Sequence, residues 1–315
     1  MKSLIVGNGS VGKALAEILG RSGHEHAFFQ GRSADSAYVC QAQWADVIYV
    51  AIPSGKHHGR IACEYILRGL EQGKVVETAE KGSLAYHFDA LQPHMHEFGH
   101  TATVGGASGM LSLFDPPGPG PIRSIFGIVN GTFNLLSCYC EEHTCDPRIA
   151  LTEAARLQMT DAHSLSLMAT VNAEMFDALM KTAIILCKSG LARVTADNFS
   201  FWLISEEEAE RLLHPGKQTR FVVSIEKAGR WEMPSNGFGL YIPPWHVQGR
   251  FVENAGSMFR DRLPRGAMNR LVINTEFDGW CSKEGVGAGA DATAKAMVNE
   301  AELLLARRAR ELAAA

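Results

Sequence analysis

Asp177 and Lys181 are the two residues of this sequence whose types and spacing best suit proton transfer. They stand four residues apart in the stretch 175–186, which is otherwise almost entirely apolar. At helical spacing they share one face, and a helix that is apolar all round is normally buried. Burial in general lowers the pKa of a lysine, which suits it to exchange a proton with an alkoxide. The alternative is an exposed ion pair, which is common and contributes little to stability.

A second candidate site is the glycine-rich turn that runs from Gly7 to Gly12 and reads GNGSVG. Gly7 permits a tight turn, Gly9 lets a pyrophosphate approach the backbone, and Gly12 lets a helix pack closely on the preceding strand. The amides of Ser10 and Val11 then begin a helix and face the anion. An apolar strand before the turn and a helix after it strengthen a motif that is weak by itself. We therefore predict a dinucleotide site, against the alternative of a structural turn in another βαβ protein.

The end of the second predicted strand selects between the two nicotinamide cofactors. In NAD-binding proteins an acidic residue about 20 residues after the glycines binds the ribose 2′-hydroxyl. Here the strand is followed by Arg32 and Ser33, a guanidinium that pairs with a 2′-phosphate and a further hydroxyl donor. We therefore predict NADP(H) rather than NAD(H), against the alternative that Arg32 is only an exposed loop residue. Pro53, which ends a third strand, is a further cofactor-binding candidate.

Alternating strands and helices position these residues in the first half of the chain, and this order indicates a parallel sheet of right-handed βαβ units. The predicted strands are 4–6, 26–30, 45–52, 74–78 and 101–104, and the predicted helices are 11–19 and 58–71. The pattern changes after a turn-rich segment at 115–121. Beyond it we predict helices at 148–158, 173–189 and 292–313, the last with Asp291 as its N-cap, and strands at 220–226, 239–242 and 270–276. Trp245 and His246 are expected in a loop.

Composition and charge exclude several classes of protein. The 315 residues are too many for one compact core, so two domains are expected. A net charge of −4 does not favour nucleic acid, and no long apolar run favours a membrane. The N-terminus lacks the apolar core of a signal peptide, and seven cysteines at irregular spacing fit a reducing compartment. We therefore expect a cytoplasmic protein without nucleic-acid or membrane partners.

Four later segments carry a resemblance to a known family. They read TAEKGSLA at 78–85, VGGASG at 104–109, GIVNGTFN at 127–134 and GVGAGADATA at 285–294. In the same order they resemble the T-A-N-K segment, the glycine pair, the G-I-x-N-G-T-x-N segment and the G-x-G-A-G-x-x-P-T-A segment of homoserine dehydrogenases. The third matches at every fixed position. With the N-terminal glycines the resemblance spans nearly the whole chain, as a short form without the family's regulatory tail domain.

The resemblance implies a fold and an activity. The fold class is α/β: a Rossmann-type doubly wound parallel sheet over 1–126 binds the NADP, and an α+β substrate and dimerisation domain covers 127–284. The segment 285–315 is expected to return to the first domain. The implied protein is a homodimer and an oxidoreductase. It interconverts an alcohol and an aldehyde on a small amino acid, with L-homoserine and L-aspartate 4-semialdehyde as the expected pair.

The resemblance also implies roles for individual residues. Lys181 is the acid/base, and Asp177 is its orienting partner and a substrate contact. Lys81 lies beside the nicotinamide and the substrate, and the alternative is a surface lysine. The further candidates are Asn130, Gly131 and Thr132 for the substrate, with a structural turn as the alternative, and Gly287 for the cofactor.

The sequence departs from the family in ways that bear mainly on the substrate. Glu80 replaces an asparagine and brings a carboxylate beside Lys81, and Ala292 replaces a proline. Thr101 stands where the carboxylate of a monovalent-cation site is expected, so we predict no metal. The family's A-E-x-D-P segment, whose glutamate contacts the substrate amino group, is not recognisable, and Asp161 is the candidate to replace it. Two alternatives stay open: a dehydrogenase for a related amino-acid semialdehyde, and a non-catalytic NADP-binding sensor or partner protein.

Overall fold

The computed structural model describes residues 1–54, 58–157, 159–160, 166–214, 218–227 and 234–314. The chain divides into two compact units, one formed by Met1–Ala107 with the segment that begins at Ala290, the other by Ser108–Gly289. These limits differ from the predicted ones at 126/127 and 284/285. A division at 126 would cut a strand that runs from Ile122 to Ile128 and pairs within the second unit. A division at 284 would likewise cut the last strand of that unit.

Five strands form the parallel sheet of the first unit, in the order β2-β1-β3-β4-β5. They are β1 (Lys2–Val6), β2 (Glu25–Phe29), β3 (Val47–Val50), β4 (Val75–Thr78) and β5 (Phe98–Gly99). Every residue of β3 and β4 is buried, which explains the continuous apolar sequence of β3. The strand order reverses between β1 and β3, the position at which doubly wound sheets bind ligands beyond the strand ends. The predicted parallel sheet is confirmed.

Helices follow the first four strands. They are α1 (Ser10–Arg21), α2 (Ser36–Trp44), α3 (Arg60–Glu71) and α4 (Lys81–Leu91). The sequence predicts α1 and α3, but neither α2 nor α4. Helix α2 buries only Tyr38 and Ala42 and so shows little periodicity. The predicted strand 101–104 is wrong: Thr101–Thr103 form a 3₁₀ turn after the short β5. The Glu300 carboxylate accepts the amides of His100 and Thr101, which a strand would use for pairing.

The second unit contains an antiparallel sheet of seven strands, in the order β12-β11-β6-β8-β10-β9-β7. They are β6 (Ile122–Ile128), β7 (Ser200–Phe201), β8 (Thr219–Lys227), β9 (Gly237–Ile242), β10 (Trp245–Glu253), β11 (Met268–Thr275) and β12 (Trp280–Val286). The expectation of a loop at Trp245 and His246 is wrong, because both residues pair with β8 and β9. A parallel sheet with a separate α+β unit confirms the predicted fold class.

The helices of the second unit are α5 (Gly131–His143), α6 (Pro147–Arg156), α7 (Leu167–Lys188) and α8 (Glu206–Leu212). The phenyl ring of Phe133 anchors the start of α5 to the sheet, with ring centroids 4.7 Å from Phe221 and 5.3 Å from Phe251. Helix α7 begins at Leu167 rather than 173, because the Ser166 side chain caps it by accepting the Ala169 amide. Helix α7 carries Asp177 and Lys181, two of the predicted catalytic residues, and α5 carries Gly131 and Thr132, two of the predicted substrate contacts.

The last helix, α9 (Ala290–Ala314), belongs to the first unit. Its buried residues Ala294, Met297, Val298 and Ala301 join a core that includes Leu15 of α1. Asp291 lies inside the first turn rather than at the predicted N-cap, since the helix already begins at Ala290. Among the helices of the described residues, none combines the length and apolarity required to cross a bilayer.

Glu77 is a fully buried carboxyl group within the parallel sheet. In register it lies between Tyr49 of β3 and Gly99 of β5. A Cβ atom on Gly99 would come within 2.0 Å of the Glu77 carboxyl oxygens, so only glycine leaves room for them. Burial, followed by the charge and hydrogen bond of Glu300, raises the pKa of Glu77 well above its ordinary value. Glu77 therefore keeps its proton to a higher pH than an exposed glutamate does.

We expect the raised pKa of Glu77 to make the stability of the protein depend on pH. Its pKa in the folded protein lies above the ordinary 4.5, so the folded state keeps a proton that the unfolded chain has lost. The stabilisation is fully present below pH 4.5 and is lost as the pH rises through the raised value, by up to about 1.4 kcal/mol per pH unit. Glu77→Gln preserves the shape of the side chain but does not titrate.

Urea denaturation of both proteins between about pH 5 and 8 measures the effect. The free energy of unfolding of Glu77→Gln, relative to the unmodified protein, should increase with pH. The exposed Glu25 of β2 provides a matched control, and Glu25→Gln should leave the pH dependence unchanged. Parallel curves for Glu77→Gln and the unmodified protein would show that Glu77 is ionised throughout.

Candidate functional site

The glycine turn joins β1 to α1 in the first unit. Gly7 has a φ of +110°, and a Cβ there would lie 2.5 Å from the Ala51 carbonyl oxygen. A Cβ on Gly12 would lie 2.2 Å from the Gly7 carbonyl oxygen, whereas nothing lies within 4 Å of that position at Gly9. Helix α1 begins after Gly9 without a side-chain cap, so the first amides, those of Ser10 and Val11, lack helical partners. This open cradle fits a pyrophosphate.

Arg32 and Ser33 lie in the exposed segment after β2. The Ser33 hydroxyl donates to Asp35 Oδ2 at 3.0 Å, and Asp35 caps α2 by accepting the amides of Ala37 and Tyr38. The bond from the Tyr38 amide, followed by that from Ser33, lowers the pKa of Asp35. The hydroxyl predicted to face a phosphate therefore has a carboxylate partner that the sequence interpretation did not consider.

Lys81 is the first residue of α4 and directly follows the loop after β4. Its backbone amide donates to the hydroxyl of Ser54, which follows Pro53 in the segment after β3, at 2.9 Å. Glu80 is 1% exposed, and its two carboxylate oxygens accept the amides of Gly82 and Ser83, each at 2.7 Å. The carboxylate that distinguishes this chain at position 80 therefore caps α4, a task that asparagine performs equally well.

The buried Lys181 and the half-buried Asp177 form an ion pair on α7 in the second unit. Lys181 is 7% exposed, and its Nζ lies 2.7 Å from Asp177 Oδ2. The same ammonium donates to the Val129 carbonyl oxygen at 2.9 Å. Among the described residues these two oxygens are its acceptors, which leaves one of its three N–H bonds for another oxygen. The alternative of an exposed surface ion pair is therefore wrong.

Asn130 connects this pair to α5. Its Oδ1 accepts the Phe133 amide at 2.9 Å, which makes Asn130 the N-cap of the helix. Its Nδ2 donates to Asp177 Oδ2 at 2.9 Å and to Glu174 Oε2 at 2.5 Å. One amide group thus holds the start of α5 and two carboxylates of α7.

The sequence interpretation missed Glu174. It lies three residues before Asp177 and seven before Lys181, a spacing that places all three side chains on one face of α7. This spacing was the one feature of the sequence that could have identified Glu174. Its importance becomes clear only from its hydrogen bond with Asn130, which lies far away in sequence.

Gly131 and Thr132 have packing roles in the structure. A Cβ on Gly131 would lie 2.8 Å from the Ala267 carbonyl oxygen and 2.9 Å from the Ala288 Cβ. The Thr132 hydroxyl donates to the Met159 carbonyl oxygen at 3.0 Å. Their contacts with substrate stay predictions, beside the structural turn that was the alternative.

Gly287 and Asp161 complete the predicted set. A Cβ on Gly287 would lie 2.1 Å from the side chain of Asn269, so this residue packs directly on a buried amide. Its cofactor contact stays a prediction. Asp161 lies outside the described residues.

Comparisons with known proteins identify relatives of this chain. Residues 119–301, more than half of the chain, match the family model described as homoserine dehydrogenase. A homoserine dehydrogenase of Methanocaldococcus jannaschii is 35% identical over 42% of this chain and 41% of its own length. Another, from Corynebacterium glutamicum, is 27% identical over 75% of this chain and 52% of its own length. The chain therefore spans about half the length of the latter relative.

Solved structures agree on the fold. A putative homoserine dehydrogenase from Archaeoglobus fulgidus has a TM-score of 0.67 at 23% identity, covering 96% of this chain and 99% of that one. A homoserine dehydrogenase from Thermoplasma acidophilum has a TM-score of 0.69 at 18% identity, covering 98% and 99%. At these identities the likeness shows the fold alone.

Proposed function

The chain belongs to the homoserine dehydrogenase family, and on this premise we propose that it is an NADP-dependent dehydrogenase that interconverts L-homoserine and L-aspartate 4-semialdehyde. The observation that carries the proposal is the buried Lys181, fixed by Asp177 and the Val129 carbonyl beside the start of α5. Burying an ion pair costs desolvation energy that an apolar pair of similar volume avoids. Its presence therefore favours a catalytic role over that of a non-catalytic sensor.

Bound NADP supplies the hydride acceptor, or in reduced form the donor, at the carbon that carries the oxygen. In aldehyde reduction, Lys181 Nζ holds a proton for the oxygen that becomes an alkoxide and transfers it as the negative charge develops. In alcohol oxidation the same nitrogen receives the hydroxyl proton. Asp177 fixes the position of Nζ and stabilises its positive charge. The proposal includes a second lysine, Lys81, the first residue of α4, with the role that the family resemblance implies, beside the nicotinamide and the substrate.

The experiment that tests the activity is spectrophotometric. With L-homoserine and NADP⁺, we expect the unmodified protein to form reduced cofactor, and Lys181→Met to lower kcat by about 10²- to 10⁴-fold, because proton transfer is lost. Lys188→Met, on the same helix but paired with Asp115, is the matched control and should retain activity.

Removing Lys181 alone leaves the half-buried Asp177 carboxylate without this cation, and the loss of one partner of such a pair destabilises proteins. The double variant Asp177→Asn/Lys181→Met removes both charges and should fold while staying inactive, as circular dichroism and the same assay would show. Full activity of either Lys181 variant would reject the catalytic role. Turnover of another hydroxy amino acid, but not of homoserine, would support the enzyme and reject this substrate.

The preference for NADP is carried by Arg32, which is exposed after β2 where a ribose 2′-phosphate is expected. We expect Arg32→Ala to weaken NADPH binding about 10- to 100-fold and to leave NADH binding unchanged, because only NADPH carries the phosphate. Fluorescence titration of both cofactors measures this, with Arg21→Ala at the exposed end of α1 as control. A preference of the unmodified protein for NADH would contradict the proposal.

We also propose a homodimer formed through one face of the antiparallel sheet. Six side chains cross this face in register: Trp280, Asn274, Ser124, Glu226, His246 and Tyr241. Trp280 is 40% and Tyr241 52% exposed, while the neighbouring part of the face is covered by the 3₁₀ turn Ala255–Phe259. Burial raises the pKa of Glu226, against the opposing charge of Arg250 on the same face. Acid and base on one face suit pairing of two identical copies around a two-fold axis.

Light scattering tests the dimer. We expect the unmodified protein to have a mass of twice 34.3 kDa and Tyr241→Glu a mass of about 34.3 kDa. The substitution adds a second acid beside Glu226 to the proposed interface, where the acids of the two copies would repel each other. The control is Leu312→Glu, at a position 80% exposed near the end of α9. A monomeric unmodified protein would reject the interface.

A cytoplasmic location is supported by the seven cysteines, all of which are free thiols.

A further inference from the structure

Tyr65 is a buried tyrosine of α3 whose hydroxyl group reaches the segment after β2. This hydroxyl donates to the Gly31 carbonyl oxygen at 2.9 Å. Burial, followed by the charge of Asp35, raises the pKa of Tyr65 to about 12, so the group keeps its proton and stays a donor at neutral pH. Arg32, on which the proposed NADP preference depends, is the residue directly after Gly31.

Two further aromatic rings hold Tyr65 in place. Its ring centroid lies 4.8 Å from that of Tyr38 and 5.9 Å from that of Phe29, and the latter two lie 5.4 Å apart. All three residues are buried, and the Tyr38 hydroxyl donates to the Tyr65 carbonyl oxygen at 2.7 Å. A hydroxyl group in such surroundings costs free energy unless it is hydrogen-bonded. Packing therefore determines where the Tyr65 hydroxyl lies, and the hydroxyl determines where it holds the Gly31 carbonyl.

The backbone that leads into Arg32 needs this support, because a glycine leaves the chain free to change conformation. A Cβ on Gly31 would lie 2.3 Å from Phe29 Cζ, so glycine lets the backbone pass this close to the packed ring. The Phe29 carbonyl oxygen accepts the Gly7 amide of the glycine turn at 3.1 Å. The segment is therefore held at one end by the turn that fits a pyrophosphate and at the other end by Tyr65.

We propose that the Tyr65 hydroxyl determines the preference for NADP by holding the Gly31 carbonyl and so orienting the backbone that leads into Arg32. Tyr65 is a positioning residue, since it is buried and acts through the exposed guanidinium of Arg32. Without the hydrogen bond the segment occupies several conformations, and the affinity for the 2′-phosphate falls with the fraction that remains competent. The proposal rests on the function proposed above, because it requires Arg32 to bind that phosphate.

Fluorescence titration of the full chain with NADPH and NADH tests the proposal. Tyr65→Phe keeps the ring and removes the hydroxyl. We expect it to weaken NADPH binding about 3- to 10-fold and to leave NADH binding unchanged. In the Arg32→Ala background the same substitution should not weaken NADPH binding further, because the two residues act as a unit. Tyr38→Phe is the matched control: it removes a buried hydroxyl from the same aromatic cluster but not the bond to Gly31, and it should keep the cofactor preference.

Hydrogen exchange measured without cofactor reports on the hydrogen bond itself. We expect the backbone amides of residues 30–34 to exchange faster in Tyr65→Phe than in the unmodified protein, because the local free energy of opening falls. Equal exchange rates in the two proteins would show that the hydroxyl does not hold this segment, and would overturn the proposal.

The remaining outcomes separate this proposal from the one on which it rests. Equal weakening of both cofactors in Tyr65→Phe would assign the hydroxyl a structural role, and further weakening in the Arg32→Ala background would show that it does not act through Arg32. Either result overturns the proposal. If Arg32→Ala weakens NADPH binding but Tyr65→Phe leaves the preference unchanged, the NADP site stands and the positioning role fails. If the unmodified protein prefers NADH, the NADP preference fails, and the positioning role stands only if Tyr65→Phe changes the ratio of the two affinities through Arg32.

Discussion

The site in the second unit depends on the side-chain amide of Asn130. A buried ion pair is stable only when its remaining hydrogen-bonding capacity is satisfied, and Asn130 provides a donor to Asp177 Oδ2 at 2.9 Å. Its oxygen meanwhile caps α5, and the Phe133 ring holds that helix on the antiparallel sheet. The sheet thus determines where α5 begins, α5 determines where the amide lies, and the amide determines the geometry of the carboxylates around Lys181.

The sequence was informative wherever the chemistry is local. The turn from Gly7 to Gly12 follows from steric requirements within a few residues, and the fully buried strand β3 from its apolar run. The pairing of Asp177 with Lys181 follows from one helical turn. The fold class and the family were predictable because these local features occur in a fixed order along the chain.

Other features were unpredictable because they depend on contacts between distant residues. Glu80 seemed to concern Lys81, yet its carboxylate accepts two amides of its own helix. The predicted strand 101–104 failed because Glu300, about 200 positions later, accepts the amides of His100 and Thr101. Glu174 acquired meaning only through Asn130, and Ser33 only through Asp35. In each case a carboxylate accepts hydrogen bonds from backbone amides, a side-chain amide or a hydroxyl. Such bonds leave no trace in the hydrophobic periodicity of the sequence.

The close approach of Gly99 and Glu77 restricts the order in which this sheet is able to change. Because the carboxyl group occupies the volume of the missing side chain, position 99 accepts a larger residue only after position 77 has become smaller. That order leaves a void in the sheet, because shortening Glu77 first empties the space beside the glycine. Every route of single substitutions from this acid–glycine pair to an ordinary apolar pair therefore passes through a less stable intermediate.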